Sequence, residues 1–268
     1  MNNDEESVLR PPEQQADDIL RSLHGRKLMV LLDYDGTLSP IAPRPEDAVL
    51  PEAMRVVLST LSKRWSTAVI SGRALADVRD MVDVDDIVYA GNHGLEIEGP
   101  TGTGISRSLG ESYVQDVAKA SAELRSELES VDGSLVEDKQ FSLSVHYRLV
   151  ASADIRQVEA AVDTAIKRHP RLRKRHGKKV FELRPDLDWD KGRAVTWLLE
   201  VVNRRETEAL PIYVGDDDTD EDAFRALETA GVGVLVSEED RPTAATHRLR
   251  DTDGVRRFLA RLAEGDAA

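Results

Sequence analysis

The sequence contains no cysteine, which excludes disulfides and thiolate metal sites. No apolar run approaches the ~18 residues that a transmembrane helix needs. The opening residues Met1-Asn2-Asn3-Asp4-Glu5-Glu6 offer neither the basic nor the apolar stretch of a secretion leader, so a cytoplasmic location is expected. Positive charge is in deficit: 36 Lys and Arg stand against 50 Asp and Glu, a formal net charge of −14. General attraction to nucleic acid or to an anionic membrane is disfavoured, and an anionic substrate would need a local metal ion, lysine or arginine. No internal repeat recurs at a solenoid period.

What is present is a chain of 268 residues, 40% of them apolar, enough for one large core or a core with an insertion. The run Leu28-Met29-Val30-Leu31-Leu32 is apolar throughout and reads as a strand buried on both faces of a parallel sheet. It ends in Asp33-Tyr34-Asp35-Gly36-Thr37-Leu38. Ligands of open α/β sheets bind beyond the carboxyl ends of the strands, so two carboxylates are expected at a ligand-binding edge. A carboxylate there can accept a phosphoryl group, and a second can protonate the leaving oxygen and then deprotonate water. Gly36 permits a sharp turn, and Thr37 offers a hydroxyl and an N–H. A solvated turn at the end of a strand is the plain alternative.

Along the chain, residues 1–12 read as a disordered tail and Glu13–Leu23 as a short amphipathic helix. Pro51 opens a helix with Met54, Val57, Leu58 and Leu61 on one face. Thr67–Ile70 reads as a strand ending in Ser71-Gly72-Arg73, and Ile87–Ala90 as another ending in Gly91-Asn92-His93-Gly94. A helix lies between them, the alternation of a doubly wound domain. From about Leu95 the pattern turns to alternating strands and two helices, an α+β insert. Its basic run Arg168–Lys179 has no Phe, Tyr or Trp to stack bases and reads as a solvated helix end and loop. The first pattern resumes with a helix over Lys191–Asn203 and a buried strand, Pro211–Val214. That strand ends in Gly215-Asp216-Asp217-Asp218-Thr219-Asp220. The expected fold is α/β: a doubly wound, Rossmann-like parallel-sheet core over residues 25–97 and 186–268. Residues 1–24 precede it as tail and short helix, and residues 98–185 form an inserted α+β cap.

Asp33 with Asp35, Ser71, Lys191 and the acids from Asp216 to Asp220 occur in the order seen in the haloacid dehalogenase-like hydrolases, which the chain resembles over nearly all of residues 27–262. The resemblance implies Asp33 as nucleophile and Asp35 as general acid and base. It implies Ser71, Gly72 and Lys191 around the phosphoryl oxygens, Lys191 also offsetting charge at Asp33. Mg²⁺ would be held by Asp33, the carbonyl of Asp35, and Asp216, with Asp217 or Asp220 binding through water or orienting Lys191. Four acids within five positions exceed what capping a helix requires, and without a cation they would repel one another.

Further segments resemble the trehalose-6-phosphate phosphatases: Gly91-Asn92-His93-Gly94, Glu137-Asp138-Lys139, His146-Tyr147-Arg148, Glu182-Leu183-Arg184-Pro185 and Trp189-Asp190-Lys191-Gly192. That family usually has Asn where Asp190 stands. The resemblance implies a Mg²⁺-dependent phosphomonoesterase yielding trehalose and phosphate, with the cap selecting the sugar. Glu137, Lys139 and Glu182 are the cap residues expected to read its hydroxyls, and Arg73, Asn92 and His93 the core residues. Read singly, His93 could be a loop histidine, and Glu182 with Arg184 a plain ion pair. The expected partners are a small sugar phosphate and a trehalose-6-phosphate synthase, with neither nucleic acid nor membrane, and the chain is expected to be a monomer. The competing functions are hydrolysis of another sugar phosphate, such as sucrose phosphate or a glycosyl-glycerate phosphate, and a non-catalytic regulatory role in trehalose synthesis.

Overall fold

The computed structural model describes residues 10–204 and 208–265, so most of the expected N-terminal tail lies outside the described residues. Helix α1 (Pro12–Ser22) leads to strand β1 (Leu28–Leu32), all five of whose residues are buried. Leu28, Val30 and Leu32 pack into one apolar layer, Met29 and Leu31 into another. A strand covered on both faces needs apolar side chains at every position, which is why the run does not alternate. Helix α2 (Glu52–Ser62), strand β2 (Ser66–Ile70), helix α3 (Leu75–Val82) and strand β3 (Val88–Gly91) follow. The three strands pair in parallel. A hairpin of β4 (Glu96–Glu98) and β5 (Ser106–Ser108) continues the sheet from β3 in antiparallel fashion.

The chain then builds helix α4 (Val114–Glu127), strands β6 (Leu135–Asp138) and β7 (Leu143–His146), helix α5 (Ile155–Arg168), and strands β8 (Leu172–Gly177) and β9 (Val180–Pro185). These four strands form a separate antiparallel sheet ordered β6-β7-β9-β8. Val117 and Leu124 of α4 and Val158 and Val162 of α5 close its core over Leu143, Val145 and Leu183.

The return segment supplies helix α6 (Lys191–Asn203), strand β10 (Leu210–Gly215), helix α7 (Asp220–Leu227), strands β11 (Val232–Val236) and β12 (His247–Leu249), and helix α8 (Thr252–Glu264). The large sheet runs β12-β11-β10-β1-β2-β3-β4-β5. β10 therefore lies beside β1, with Leu32 opposite Val214. The acids after each strand emerge side by side at one edge.

Two expectations change. An insert starting at residue 98 would begin inside β4, whose Glu98 pairs with Tyr89 of the large sheet. The chain leaves that sheet only after Ser108. The alternating, half-exposed pattern of this hairpin comes from its place at the sheet margin. The basic run Arg168–Lys179 contains β8 rather than only a loop. β8 is an edge strand bonded to β9 alone, and its lysine and arginine heads discourage a further strand from adding. Among the described residues, no helix is long and apolar enough to cross a membrane.

Candidate active site

Directly after β1, the Asp33 amide donates to the carbonyl of Val214 at 2.9 Å, which ties the first acidic turn to the end of β10. Gly36 completes the turn at φ +81°, and a Cβ there would come within 2.3 Å of the Asp216 carboxylate. Only glycine fits both the left-handed backbone and this approach. Lys191 opens α6, and the Asp190 carboxylate caps that helix by accepting from the Arg193 amide at 2.8 Å. Asn and Asp both cap well, so the substitution at 190 costs the site nothing.

The buried Lys191 ammonium donates to Asp33 Oδ1 and to Asp220 Oδ1, each at 2.7 Å. Asp220 Oδ1 also accepts from the Tyr213 hydroxyl at 2.6 Å, and its Oδ2 accepts from the amides of Asp216 and Asp217 at 2.9 and 3.0 Å. Asp33, Asp216 and Asp220 can bring one carboxylate oxygen each to within 4.8 Å of the others. Asp220 is saturated by its four donors, so Asp33 and Asp216 are the less fully satisfied acids of the three. Asp217 Oδ1 is engaged by the Thr219 amide and hydroxyl at 2.8 and 2.7 Å.

The charges are unevenly satisfied. Burial pushes the Asp33 carboxyl well above the usual range despite Lys191, and Asp220 and Asp216 add to the effect. Burial likewise lifts Asp216 to about 7, against the pull of Lys178. Asp217 falls to about 2: burial opposes the fall, but Lys191 and Thr219 outweigh it. Burial also works against the Lys191 ammonium, yet Asp220 and Asp33 hold it well above the ordinary lysine range. One ammonium shared among so many acids leaves room for more positive charge, and hard oxygen donors of this kind suit a divalent ion such as Mg²⁺.

On the neighbouring strand ends, Ser71 and Asn92 are fully buried beneath the surface of the cavity. The Ser71 hydroxyl accepts from the Arg73 amide at 3.1 Å, and Asn92 accepts from the Ser142 hydroxyl at 2.6 Å and donates to the Lys139 carbonyl at 3.2 Å. Asn92, His93 and Gly94 all have left-handed φ, at 52°, 57° and 88°. This turn lays the His93 ring against Gly72, where a Cβ would lie 2.6 Å from the ring. His93 Nε2 meets Glu182 Oε1 at 3.3 Å. Burial, then Arg184, lowers His93 to about 4 against the pull of Glu182, so the ring is neutral near pH 7.

The smaller sheet closes the other wall. Lys139 donates to the Gly72 carbonyl at 2.9 Å and stands 3.9 Å from both Glu137 and Glu182. His146 lies 2.7 Å from Glu137. Glu137 titrates near 2: burial opposes that shift, and His146 and Lys139 outweigh it. One cavity touches Asp33, Asp35, Gly72, Arg73, His93, Glu137, Lys139, Glu182, Lys191, Asp216 and Asp217. Residues from both sheets thus surround one space. The Arg73 guanidinium is engaged with Asp35. Lys178, Arg184 and Tyr213 also shape the site; nothing in the spacing of the sequence marks Lys178 or Tyr213, and Arg184 is legible only through its neighbour Glu182.

The profile of a family described as trehalose-phosphatase matches residues 31–253. The chain is 39% identical over 272 residues to a protein of Oryza sativa subsp. japonica named probable trehalose-phosphate phosphatase 2, covering 92% of this chain and 71% of that one. It is 36% identical over 259 residues to trehalose-phosphate phosphatase B of Arabidopsis thaliana, covering 92% and 69%. The fold is similar to the C-terminal domain of the C. albicans trehalose-6-phosphate phosphatase, with a TM-score of 0.80 over 94% of this chain and 97% of that one, at 22% identity.

Proposed function

The chain belongs to the trehalose-phosphatase family, and we propose that its site hydrolyses trehalose 6-phosphate to trehalose and phosphate through an aspartyl-phosphate on Asp33. It is a phosphoric monoester hydrolase of trehalose biosynthesis. The observation that carries the mechanism is the Lys191 ammonium between Asp33 and Asp220, beside Asp216, at the floor of a cavity roofed by Glu137, Lys139 and Glu182.

An Asp33 carboxylate oxygen attacks phosphorus, and the bond from phosphorus to the sugar oxygen breaks. Asp35 gives its proton to that oxygen, and trehalose leaves. Asp35 then takes a proton from water, the resulting hydroxide attacks phosphorus, and the bond to Asp33 breaks to release phosphate. Lys191, with the backbone around Ser71 and Gly72, faces the negative charge of the transferring group. Mg²⁺ on Asp33, Asp216 and the Asp35 carbonyl would neutralise phosphoryl charge and hold the group in line. The smaller sheet acts as the cap, and Glu137, Lys139 and Glu182 read the sugar hydroxyls. We place the reaction in the cytoplasm, on a monomer, with a trehalose-6-phosphate synthase as the source of substrate. A regulatory, non-catalytic role has no use for a complete set of Asp33, Asp35, Lys191 and Asp216.

The test is a phosphate-release screen with Mg²⁺ over trehalose 6-phosphate, sucrose 6-phosphate and glucose 6-phosphate. The expected result is a clear preference for the first, abolished by EDTA and by Asp33→Asn. Preference for another sugar phosphate moves the substrate assignment; release by the Asp33→Asn enzyme overturns the nucleophile.

A further inference from the structure

The chemistry above leaves Lys178, which lines the same cavity, without a task. Lys178 sits in the turn between β8 and β9, at the tip of the cap hairpin nearest the acids. The turn is braced: Arg148 donates to the Lys178 carbonyl at 2.9 Å, and the Tyr147 amide donates to the Lys179 carbonyl at 3.1 Å. From there the Lys178 ammonium reaches across to the core, where it pairs with the Asp216 carboxylate and lies 3.3 Å from the Asp216 main-chain oxygen. The Asp216 side chain is only 6% exposed, whereas that of Lys178 is 52% exposed. A half-exposed cation on the cap thus rests on a buried acid of the core.

Other polar contacts between cap and core lie around Gly72, Asn92 and His93, and β8 itself is held at its middle by Arg173, which donates to the Trp189 carbonyl at 3.2 Å. Lys178 thus engages one carboxylate oxygen of an acid proposed above to hold the metal ion. An ammonium and a divalent ion on one carboxylate weaken each other's hold; at Asp33 the ammonium is the buried Lys191, a fixed part of the site, whereas at Asp216 it is the half-exposed Lys178, which is free to leave.

We propose that Lys178 is a tethered competitor for the cation at Asp216, so that loading of the metal and seating of this hairpin tip on the core oppose each other. The inference rests on the reading of Asp216 as a metal ligand. Metal binding would free the hairpin tip and widen the route by which a sugar phosphate enters. The phosphoryl dianion then supplies the negative charge that draws the released ammonium back.

The experiment is calorimetric titration of Mg²⁺ into the full chain without substrate, for the natural protein and for Lys178→Gln, Lys178→Arg and Asp216→Asn. Lys178→Gln should bind Mg²⁺ about threefold or more tightly than the natural protein, since a half-exposed ion pair contributes modestly. Lys178→Arg should bind as the natural protein does, and the gain in Lys178→Gln should shrink at high salt. Hydrogen exchange across 172–180 should speed up when Mg²⁺ is added to the natural protein. Equal or weaker binding by Lys178→Gln, with binding lost in Asp216→Asn, overturns the competitor while leaving the metal site intact. Unchanged hairpin exchange on adding Mg²⁺ also overturns it. Undiminished binding by Asp216→Asn removes the metal assignment and the competitor with it.

Discussion

Arg73 grips Asp35 with two parallel hydrogen bonds, Nε to Oδ2 at 2.8 Å and Nη2 to Oδ1 at 2.6 Å. The guanidinium is nearly buried and lies 5.3 Å from the centre of the Tyr34 ring, while Asp35 remains open to the cavity. A planar fork of this kind fixes both the position and the plane of a carboxylate, which a lysine ammonium cannot do. The grip therefore sets where the proposed proton carrier lies, and since both of its oxygens are engaged, one of the two bonds must open before Asp35 can carry a proton.

Replacing that fork should lower turnover more than affinity. Arg73→Lys is expected to reduce kcat by about tenfold with KM within about threefold, and Arg73→Gln to reduce kcat further. Steady-state phosphate release checks this. A raised KM at unchanged kcat would instead make Arg73 a sugar ligand.

Lys191→Met should cost both stability and chemistry. It leaves Asp33 and Asp220 buried without their shared ammonium. Breaking a buried pair on one side destabilises by roughly 3 kcal/mol or more. Urea titration of the apo protein should show a lower midpoint, and turnover should vanish; an unchanged midpoint would show that the two acids are neutralised some other way.

The His93 ring gives acid sensitivity a defined window. Its folded pKa, about 4, lies below the ordinary 6.5. Below pH 6.5 the unfolded chain takes up a proton that the folded ring refuses. Stability is therefore full above 6.5 and is lost as the pH falls toward 4, by about 3 kcal/mol across the window. Glu137, at about 2 against an ordinary 4.5, adds a second loss below pH 4.5. Thermal melts between pH 7 and pH 4 should be steeper for the natural protein than for His93→Gln; matching slopes would assign the loss to other groups.

Glu182→Ala should separate sugar from phosphate. Glu182 belongs to the cap wall, with Arg184, His93 and Lys139 around it. The variant should lose at least about tenfold more kcat/KM on trehalose 6-phosphate than on p-nitrophenyl phosphate, which has no sugar to read. Equal losses would place Glu182 in the framework of the cap.

The parts of this molecule that were legible in its sequence are those where a residue's surroundings follow from the chain alone. β1 and β10 could be read because strands buried on both faces must be apolar throughout, and the acids after them stand out against that background. β8 could not: an edge strand tolerates lysine and arginine, so its pattern is that of a solvated loop. The guanidinium of Arg73 could have met sugar or carboxylate, and only the turn at Asn92 to Gly94 and the nearness of β1 decide for Asp35. Tyr213 sits in an apolar strand and looks like core until its hydroxyl is seen on Asp220. Lys178 is separated from Asp216 by 38 positions, and a lone lysine in a basic stretch carries no mark of where its tip will rest.

The pairing of β1 with β10 has a consequence for how the protein is made. The first acidic turn leaves the ribosome early, but its neighbour across the sheet, and the lysine that neutralises it, emerge only after the whole cap has been synthesised. A nascent chain is thus catalytically silent until its C-terminal part arrives. A cut between the cap and Lys191 would leave the acid and its counterion on two pieces held together by sheet pairing and packing alone.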